Sequence, residues 1–221
     1  MAFTAPFALL YVPRTLIVRG NAAATANNVL AHETLFRFGI VADLISAVIF
    51  VCVAVALYRL LSEVQKTIAS LMVCLVLVSS AVGFLNVLNN IAALTLFRGT
   101  DFLKVFDKPQ RDALAMLFLR LYGQGLVIDE LFWGLWLFPF GVLVMKSRFI
   151  PRIFGVLLII NGFAYVIVSL TSVLAPAYAS AVDRYAFIPE TGELWIMLWL
   201  LIRGAKVTPP LLAGPQRTAT A

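Results

Sequence analysis

Long apolar stretches alternate with short polar connections along this chain. Six such stretches occur, at roughly 2–18, 35–60, 67–97, 121–145, 153–175 and 186–203. None shows the alternating pattern of a barrel strand, and backbone groups in lipid must be satisfied within their own segment, so all six are predicted to be helices. A span needs about 20 apolar residues to cross about 30 Å of hydrocarbon. The pattern therefore predicts an all-α, polytopic transmembrane helical bundle of about six spans.

The first and fourth spans carry signals at their ends. Pro6 and Pro13 interrupt the first apolar stretch, which predicts a short or kinked helix that ends near Pro13. Asp107 precedes Lys108 and Pro109, as expected for an N-cap followed by a proline in the first turn. The fourth helix is therefore predicted to begin before the membrane and to continue into it.

The last span is short. From Pro189 to Arg203 it would measure only about 22 Å, and proline suits a first helical turn, so a helix is predicted to begin at or just before Pro189. Its N-terminus would then place Glu193 at the floor of a cavity. The alternative is one helix from about Ala179 that is kinked at the proline. Gly204 after Arg203 predicts the C-terminal stop.

Composition places the chain in a membrane. It is 62% hydrophobic and 13% charged, whereas soluble proteins average about 45–50% apolar and 25% charged residues. We therefore expect residues 1–204 to form a single transmembrane domain. The polar, proline-containing residues 205–221 are expected to form a disordered cytoplasmic tail.

The net charge of +6 is explained by the way basic residues are distributed among the connections between the spans. By the positive-inside rule, the basic face of a membrane protein is cytoplasmic, so both termini are predicted to lie inside. The charge then requires no nucleic-acid partner, and membrane lipids are the expected surroundings. The connections after spans two, four and six carry eight basic residues against Glu63 alone, namely Arg59, Lys66, Lys146, Arg148, Arg152, Arg203, Lys206 and Arg217.

Three segments carry a family resemblance: "GNAAATANNVLAHETLFRFGIVADLI" (Gly20–Ile45), "KSRFIPRIFGVLLIINGFAYVIVSLTSVLAPAYA" (Lys146–Ala179) and "GELWIMLWLLIRG" (Gly192–Gly204). With these segments the chain resembles the bacterial membrane-protein family known as domain of unknown function 4386. The resemblance implies a multi-pass protein of the bacterial inner membrane and supplies no catalytic residues. Relative to that family, the chain is expected to lack the front part of the first span.

Polar residues inside the spans form layers when each helix is counted outward from its cytoplasmic basic residue. Asp43 lies about 24 Å from Arg59, and Asp129 lies about 25 Å from Lys146, so the two acids share one layer. The layers predict a polar funnel that faces outward and narrows towards the middle of the membrane. Four further polar residues reach about 30, 25, 15 and 13.5 Å: Asn86, Ser169, Glu193 and Asn161.

Helical spacing separates the adjacent acids Asp129 and Glu130. Glu130 lies on a stripe of small residues of the kind that lets membrane helices approach closely, and it is expected to face another helix. Asp129 lies on an aromatic stripe that would form a wall below its carboxylate. The first stripe also contains Gly123, Gly134 and Gly141, and the second contains Gly125, Trp133, Trp136 and Phe140.

Asparagines and outer charges complete the predicted site. Asn86, Asn89 and Asn90 recur at helical spacing and offer amide donors that could hold a carboxylate. Glu33 and Arg37 form an i,i+4 pair that serves either as a gate or as a helix cap. The rim of the predicted funnel consists of His32, Glu33, Arg37 and Arg120.

Neither a cofactor nor a metal is predicted. His32 is the single histidine, which excludes a bis-histidine haem within one chain and a zinc site with several histidines. A carboxylate site of Asp43, Glu130 and Glu193 has no ligand-spacing motif.

Three functions fit the intramembrane acids: a ligand-binding cavity comes first, a structural or regulatory subunit second, and an enzyme, for which no motif is recognised, third. The acids could line a cavity that binds a small or lipid-like ligand, because intramembrane ionisable groups usually mark function. They could instead form a buried polar network in a structural or regulatory subunit. They could also provide the paired carboxylates of an intramembrane enzyme.

Overall fold

The computed structural model describes residues 4–190 and 192–204, without the side chains of residues 187–190. All regular structure within those ranges is helical, as the apolar pattern predicts. The predicted tail at 205–221 lies outside the described residues.

The chain enters the fold through a short helical segment. It consists of Thr4–Pro6, a π-helical turn at Phe7–Tyr11, and Val12–Leu16. The segment continues to Leu16, so the predicted end near Pro13 is wrong. Pro13 directly follows the π-helical turn, in which the Val12 N–H donates to the Phe7 carbonyl five residues earlier. Helix α1 (Ala22–Ala31) follows, capped by the Asn21 side chain, which accepts a hydrogen bond from the Ala24 N–H at 2.9 Å.

Four long helices form the body of the molecule. Within the described residues they are the helices that are long and apolar enough to cross a membrane. Their bounds lie close to those of predicted spans two to five, although the fourth extends further outward, as Asp107 suggested. They are α2 (Glu33–Leu61), α3 (Lys66–Arg98), α4 (Lys108–Lys146) and α5 (Arg152–Leu174).

Two reciprocal hydrogen bonds between Asp107 and Gln110 cap the start of α4. The Asp107 side chain accepts a hydrogen bond from the Gln110 N–H at 2.8 Å, and the Gln110 side chain accepts one from the Asp107 N–H at 3.0 Å. Such a capping box satisfies two otherwise unpaired backbone donors and fixes where the helix begins. The predicted N-cap is therefore confirmed.

The C-terminal part of the described chain contains α6 (Pro176–Glu190) and α7 (Gly192–Arg203), and residue 191 between them lies outside the described residues. The prediction that a helix begins at or just before Pro189 is wrong, because that residue lies in the last turn of α6. Both helices pack against α5, where Ala186 lies in a cluster with Ala164 and Val168. A Cβ atom at Gly192 would lie 3.0 Å from the Leu157 carbonyl oxygen, so close packing on α5 requires glycine where α7 begins. Helix α7 ends at Arg203 as predicted, with Gly204 at a φ of 65°.

Helices α4 and α5 pack closely along a seam of small residues. A Cβ at Gly134 would lie 2.6 Å from the Gly162 carbonyl oxygen, and one at Gly141 would lie 2.8 Å from that of Gly155. One step further out, the Ser169 hydroxyl donates to the Val127 carbonyl at 2.7 Å. Each of the three contacts is seven residues from the next. Gly134 and Gly141 of the stripe predicted around Glu130 therefore lie at the α4–α5 interface, whereas a Cβ at Gly123 would have nothing within 4 Å.

Two hydrophobic clusters lie at the two ends of the bundle. The inner cluster joins α2 to α5 with α7 and includes Leu61, Met72, Leu143 and Leu158. The outer cluster joins the N-terminal segment and α1 to the outer ends of α2, α3 and α4; it contains Leu16, Val29, Phe36, Phe97 and Leu119. We call this outer cluster the cap. The space between the two clusters is where the polar residues of the spans meet.

Candidate functional site

A pocket of about 250 Å³ lies between the cap and the inner cluster. The N-terminal segment, α2, α3, α4, α5 and α7 all contribute to its walls. Three acids line it: Asp43, Asp129 and Glu193. Its aromatic walls are formed by Phe50, Phe84, Trp133, Trp136 and Tyr165.

Asp129 is almost completely buried, with 6% of its surface exposed. The Ser79 hydroxyl of α3 donates to its Oδ1 at 2.6 Å, and the Trp133 side chain also hydrogen-bonds it. A Cβ at Gly83 would lie 3.6 Å from Oδ2, with no other atom within 4 Å. One carboxylate oxygen is thus held by α3, while the other lies over a glycine where the wall has no side chain.

Asp43 pairs across the bundle with α4. The Tyr122 hydroxyl donates to Asp43 Oδ2, so the partner of Asp43 comes from another helix. Asn90 lies beside this pair at a second, smaller hollow of about 20 Å³. The Asp43–Tyr122 pair therefore separates two cavities.

Asn86 and Asn89 donate to a backbone carbonyl and to another amide, and no described hydrogen bond joins them to a carboxylate. The Asn86 amide donates to the Tyr122 carbonyl at 2.9 Å, and the Asn89 amide donates to Asn86 Oδ1 at 3.0 Å. A Cβ at Gly125 would collide with the Asn86 side chain, so the glycine lets this amide reach the backbone of α4. Asn86 lines the pocket and Asn89 does not.

Ser80 is a pocket residue that sequence reasoning missed. It is 4% exposed and lines the pocket, and its hydroxyl makes no hydrogen bond with any described residue. Ser79, Tyr122 and Tyr165 were missed as well. The available signal was the polar Ser79–Ser80 pair within an otherwise apolar stretch.

Several predicted site residues lie outside the pocket. Glu130 shares a helical face with Val127 and Gly134, which contact α5, so it faces α5 as its stripe predicted. Asn161 lies behind the pocket, where its amide donates to Glu193 Oε1 at 3.3 Å. Ser169 belongs to the α4–α5 seam.

The predicted rim residues are also separate from the pocket. Arg37 Nε lies 2.7 Å from Glu33 Oε1, and Arg98 Nε lies 3.8 Å from Glu33 Oε2. His32 and Arg120 are exposed. The cap, which includes the neighbouring Phe36, closes the outer ends of α2 to α4. The rim residues therefore do not form a gate in this structure.

The charge of the pocket is unbalanced. No lysine, arginine or histidine is among its described lining residues. Nor does the described part of the chain contain a group of three or more histidine, cysteine, aspartate or glutamate residues that could hold a metal ion. The arrangement offers hydrogen-bond acceptors and negative charge beside aromatic surface.

Tyr122→Phe is expected to destabilise the protein by about 1–3 kcal/mol, because Asp43 then keeps its carboxylate in the bundle without the phenolic donor. Denaturation of the purified protein in detergent measures the loss. Tyr178→Phe, at an exposed position, is the matched control. In a double-mutant cycle with Asp43→Asn, additive effects would show that the two side chains do not stabilise each other.

Comparison with known proteins places the chain in a family. A family model described as "Domain of unknown function (DUF4386)" matches residues 1–204. The chain belongs to this family. The DUF4386 match includes every helix that contributes to the pocket. The chain is also similar to an uncharacterised protein of Archaeoglobus fulgidus, with 30% identity over 171 residues that cover 77% of this chain and 86% of that protein. No solved structure matches the chain.

Proposed function

We propose that this DUF4386 protein is a multi-pass protein of the bacterial inner membrane that binds a small or lipid-like amphipathic ligand in the pocket between its helices. The observation that carries the proposal is the combination of three acidic side chains with aromatic walls in one pocket at membrane depth. Ligand pockets are largely apolar, with a few polar groups that orient the ligand.

The size of the pocket limits the ligand. Its volume of about 250 Å³ is close to the lower end of small-molecule pockets, which begin at about 300 Å³. A lipid with two full acyl chains would not fit. A small molecule, or a head group with a short apolar chain, suits this volume.

The route to the pocket runs from the side in this proposal. The cap closes the outer ends of α2, α3 and α4. Phe84 lines the pocket and is also 38% exposed on α3, beside Leu85, which is 67% exposed. These residues would face lipid, so an amphipathic ligand could enter from the bilayer past α3.

The topology in this proposal has six crossings with both termini in the cytoplasm. Besides α2 to α5, the N-terminal segment counts as one crossing, and α6 and α7 together count as another. Val12 packs on Gly39 and Thr4 hydrogen-bonds Ser46, so the N-terminal segment runs antiparallel to α2. This direction agrees with an N-terminus on the same side as the basic ends of the long helices.

A reporter fused after Ala221 is expected to behave as cytoplasmic, because the basic connections lie on the side of α7 where Arg203 ends the helix. A paired alkaline phosphatase and fluorescent-protein fusion provides the measurement. The same reporters inserted in the outer connection after Arg98 should give the opposite result. Phosphatase activity from the Ala221 fusion would overturn the proposed topology.

Tryptophan quenching tests the ligand proposal directly. Trp133 and Trp136 line the pocket, and the other two of the four tryptophans, Trp195 and Trp199, can be replaced by phenylalanine. In phosphatidylcholine nanodiscs, we expect brominated short-chain amphiphiles to quench the remaining fluorescence saturably. The control is phosphatidylcholine brominated on its acyl chains, which should quench little because Trp136 is 5% exposed. Quenching that rises linearly with every amphiphile would reject a binding site.

A structural or regulatory subunit is the second candidate. It is favoured by the hydrogen bonds with which Ser79 and Tyr122 hold the two aspartates across helices. In that case the same variants would change stability without any saturable quenching. The paired-carboxylate enzyme has less support, since Asp129 lines the pocket while Glu130 faces α5.

A further inference from the structure

Asp43 and Asp129 have no cationic partner among the described residues that line the pocket. A carboxylate that leaves water is costly unless it is neutralised or paired with positive charge. Among the described cations at the predicted rim, Arg37 lies against Glu33 and Arg120 is exposed, and neither lines the pocket; the neighbouring Arg98 also lies against Glu33. A positive charge in the pocket would therefore have to come from outside the described lining.

The described hydrogen bonds use only part of the acceptor capacity of the Asp43 and Asp129 carboxylates. An ionised carboxylate has about four acceptor sites. Asp129 receives hydrogen bonds from Ser79 and Trp133, and Asp43 receives one from Tyr122. Acceptor capacity remains on both carboxylates, and Asp129 Oδ2 lies over the bare wall at Gly83.

Ser80 gives an independent indication of a ligand that donates hydrogen bonds. A serine within a helix commonly donates to the carbonyl one turn earlier. The Ser80 hydroxyl makes no hydrogen bond within the described residues, although the side chain is 96% buried and lines the pocket next to Ser79. Its oxygen is therefore a buried acceptor without a described partner on a residue that lines the pocket.

The side chains at the site favour an organic cation over a metal ion. A metal such as Ca²⁺ takes at least about six oxygen ligands, whereas no described cluster of three acidic, histidine or cysteine side chains could hold one. The space beside Asp129 is bounded by Trp133 and Trp136. Indoles are the side chains that attract organic cations most strongly.

We propose that the ligand carries an organic ammonium group, which binds Asp129 and Asp43 and lies beside Trp133 and Trp136, while its apolar part fills the aromatic side of the pocket. This inference rests on the pocket's being a binding site. It adds the chemical class of the ligand, a primary alkylammonium or a similar cationic amphiphile.

Three brominated probes with the same short chain test the class: an ammonium, an alcohol and a carboxylate. The protein retains Trp133 and Trp136 as its tryptophans and is held in nanodiscs of zwitterionic phosphatidylcholine. We expect the ammonium to bind about tenfold more tightly than the alcohol, and the carboxylate to bind most weakly. Asp129→Asn and Asp43→Asn should each weaken ammonium binding about tenfold and change alcohol binding less than about threefold.

Asp101→Asn is the matched control, because it removes an acid at the outer surface whose side chain is 94% exposed. It should leave all three affinities unchanged. Saturable alcohol binding in the Asp129 and Asp43 variants shows that each is folded. If the alcohol binds as well as the ammonium, or if the two variants bind the ammonium like the wild type, the ammonium inference is wrong and the pocket proposal stands. If none of the probes saturates in the wild type, both are wrong.

Discussion

Gly134→Val is expected to lower the free energy of unfolding by about 1–3 kcal/mol or more, through loss of close packing between α4 and α5. The new Cβ would lie 2.6 Å from the Gly162 carbonyl oxygen and 3.1 Å from the Val166 nitrogen. Both atoms belong to the backbone, which cannot move aside without separating the helices. Denaturation in mixed detergent micelles, followed by circular dichroism, measures the change.

Gly123→Val is the control for helix propensity. Gly123 lies on the same helix and the same predicted stripe, but a Cβ atom there would have nothing within 4 Å. Because glycine-to-valine changes alter the helix in the same way at both positions, the difference between the variants isolates the interhelical contact. Equal destabilisation by the two substitutions would contradict the close approach at Gly134.

Gly83→Phe is expected to abolish saturable binding of the amphiphilic probes and to leave the protein folded. Gly83 lines the pocket, and a Cβ there would approach a single atom, Asp129 Oδ2, at 3.6 Å. The ring would therefore occupy the space in which the ligand is proposed to lie. Quenching of Trp133 and Trp136 by the probes, together with a denaturation curve, measures both effects. We expect binding to weaken at least about a hundredfold, which corresponds to a loss of about 2.7 kcal/mol of binding free energy.

Gly123→Phe separates occupation of the pocket from the general effect of a large residue on a membrane helix. It adds the same ring on α4, at a position outside the pocket lining. This variant should bind the probes normally. Normal binding by the Gly83 variant would instead show that the ligand does not use this pocket.

Most helix boundaries could be predicted from the sequence because they depend on local signals. The apolar runs of α2 and α3 are bounded by charged residues, α5 begins at Arg152 and ends just before Pro176, and Asp107 and Gly204 are recognisable caps. Helix α1 was missed because it is short and has no long apolar run, although Asn21 at its start is a good N-cap.

The course of the chain around Pro189 could not be predicted correctly from proline alone. Proline is tolerated in a first turn, and this preference suggested a helix start at Pro189. The structure places Pro189 within α6, and the backbone of α5 approaches Gly192 so closely that a Cβ would crowd the Leu157 carbonyl. That contact depends on the register of two helices, which spacing within one helix does not report.

The positions of the site residues along their helices could be predicted from the sequence, but their hydrogen-bond partners could not. Counting residues along each helix placed Asp43 and Asp129 in one layer, and both line the same pocket. The glycine stripe correctly indicated the face of α4 that packs against α5, and Glu130 lies on that face. The partners Ser79 and Tyr122 were not predicted, because each bond joins residues on different helices. Whether any of these residues contacts a ligand stays a prediction.

The seven-residue interval between the α4–α5 contacts also has a mechanical consequence. An ideal α-helix has 3.6 residues per turn, so a strict repeat of seven makes two helices coil around each other in a left-handed sense. Gly134, Gly141 and Val127 thus keep α4 against α5 over about 20 Å of its length. The α4–α5 pair is therefore expected to move as one rigid unit. Any change in the width of the pocket is then expected to come from the shorter helical elements that line it. These are the N-terminal segment, with Ala5 and Leu9, and α7.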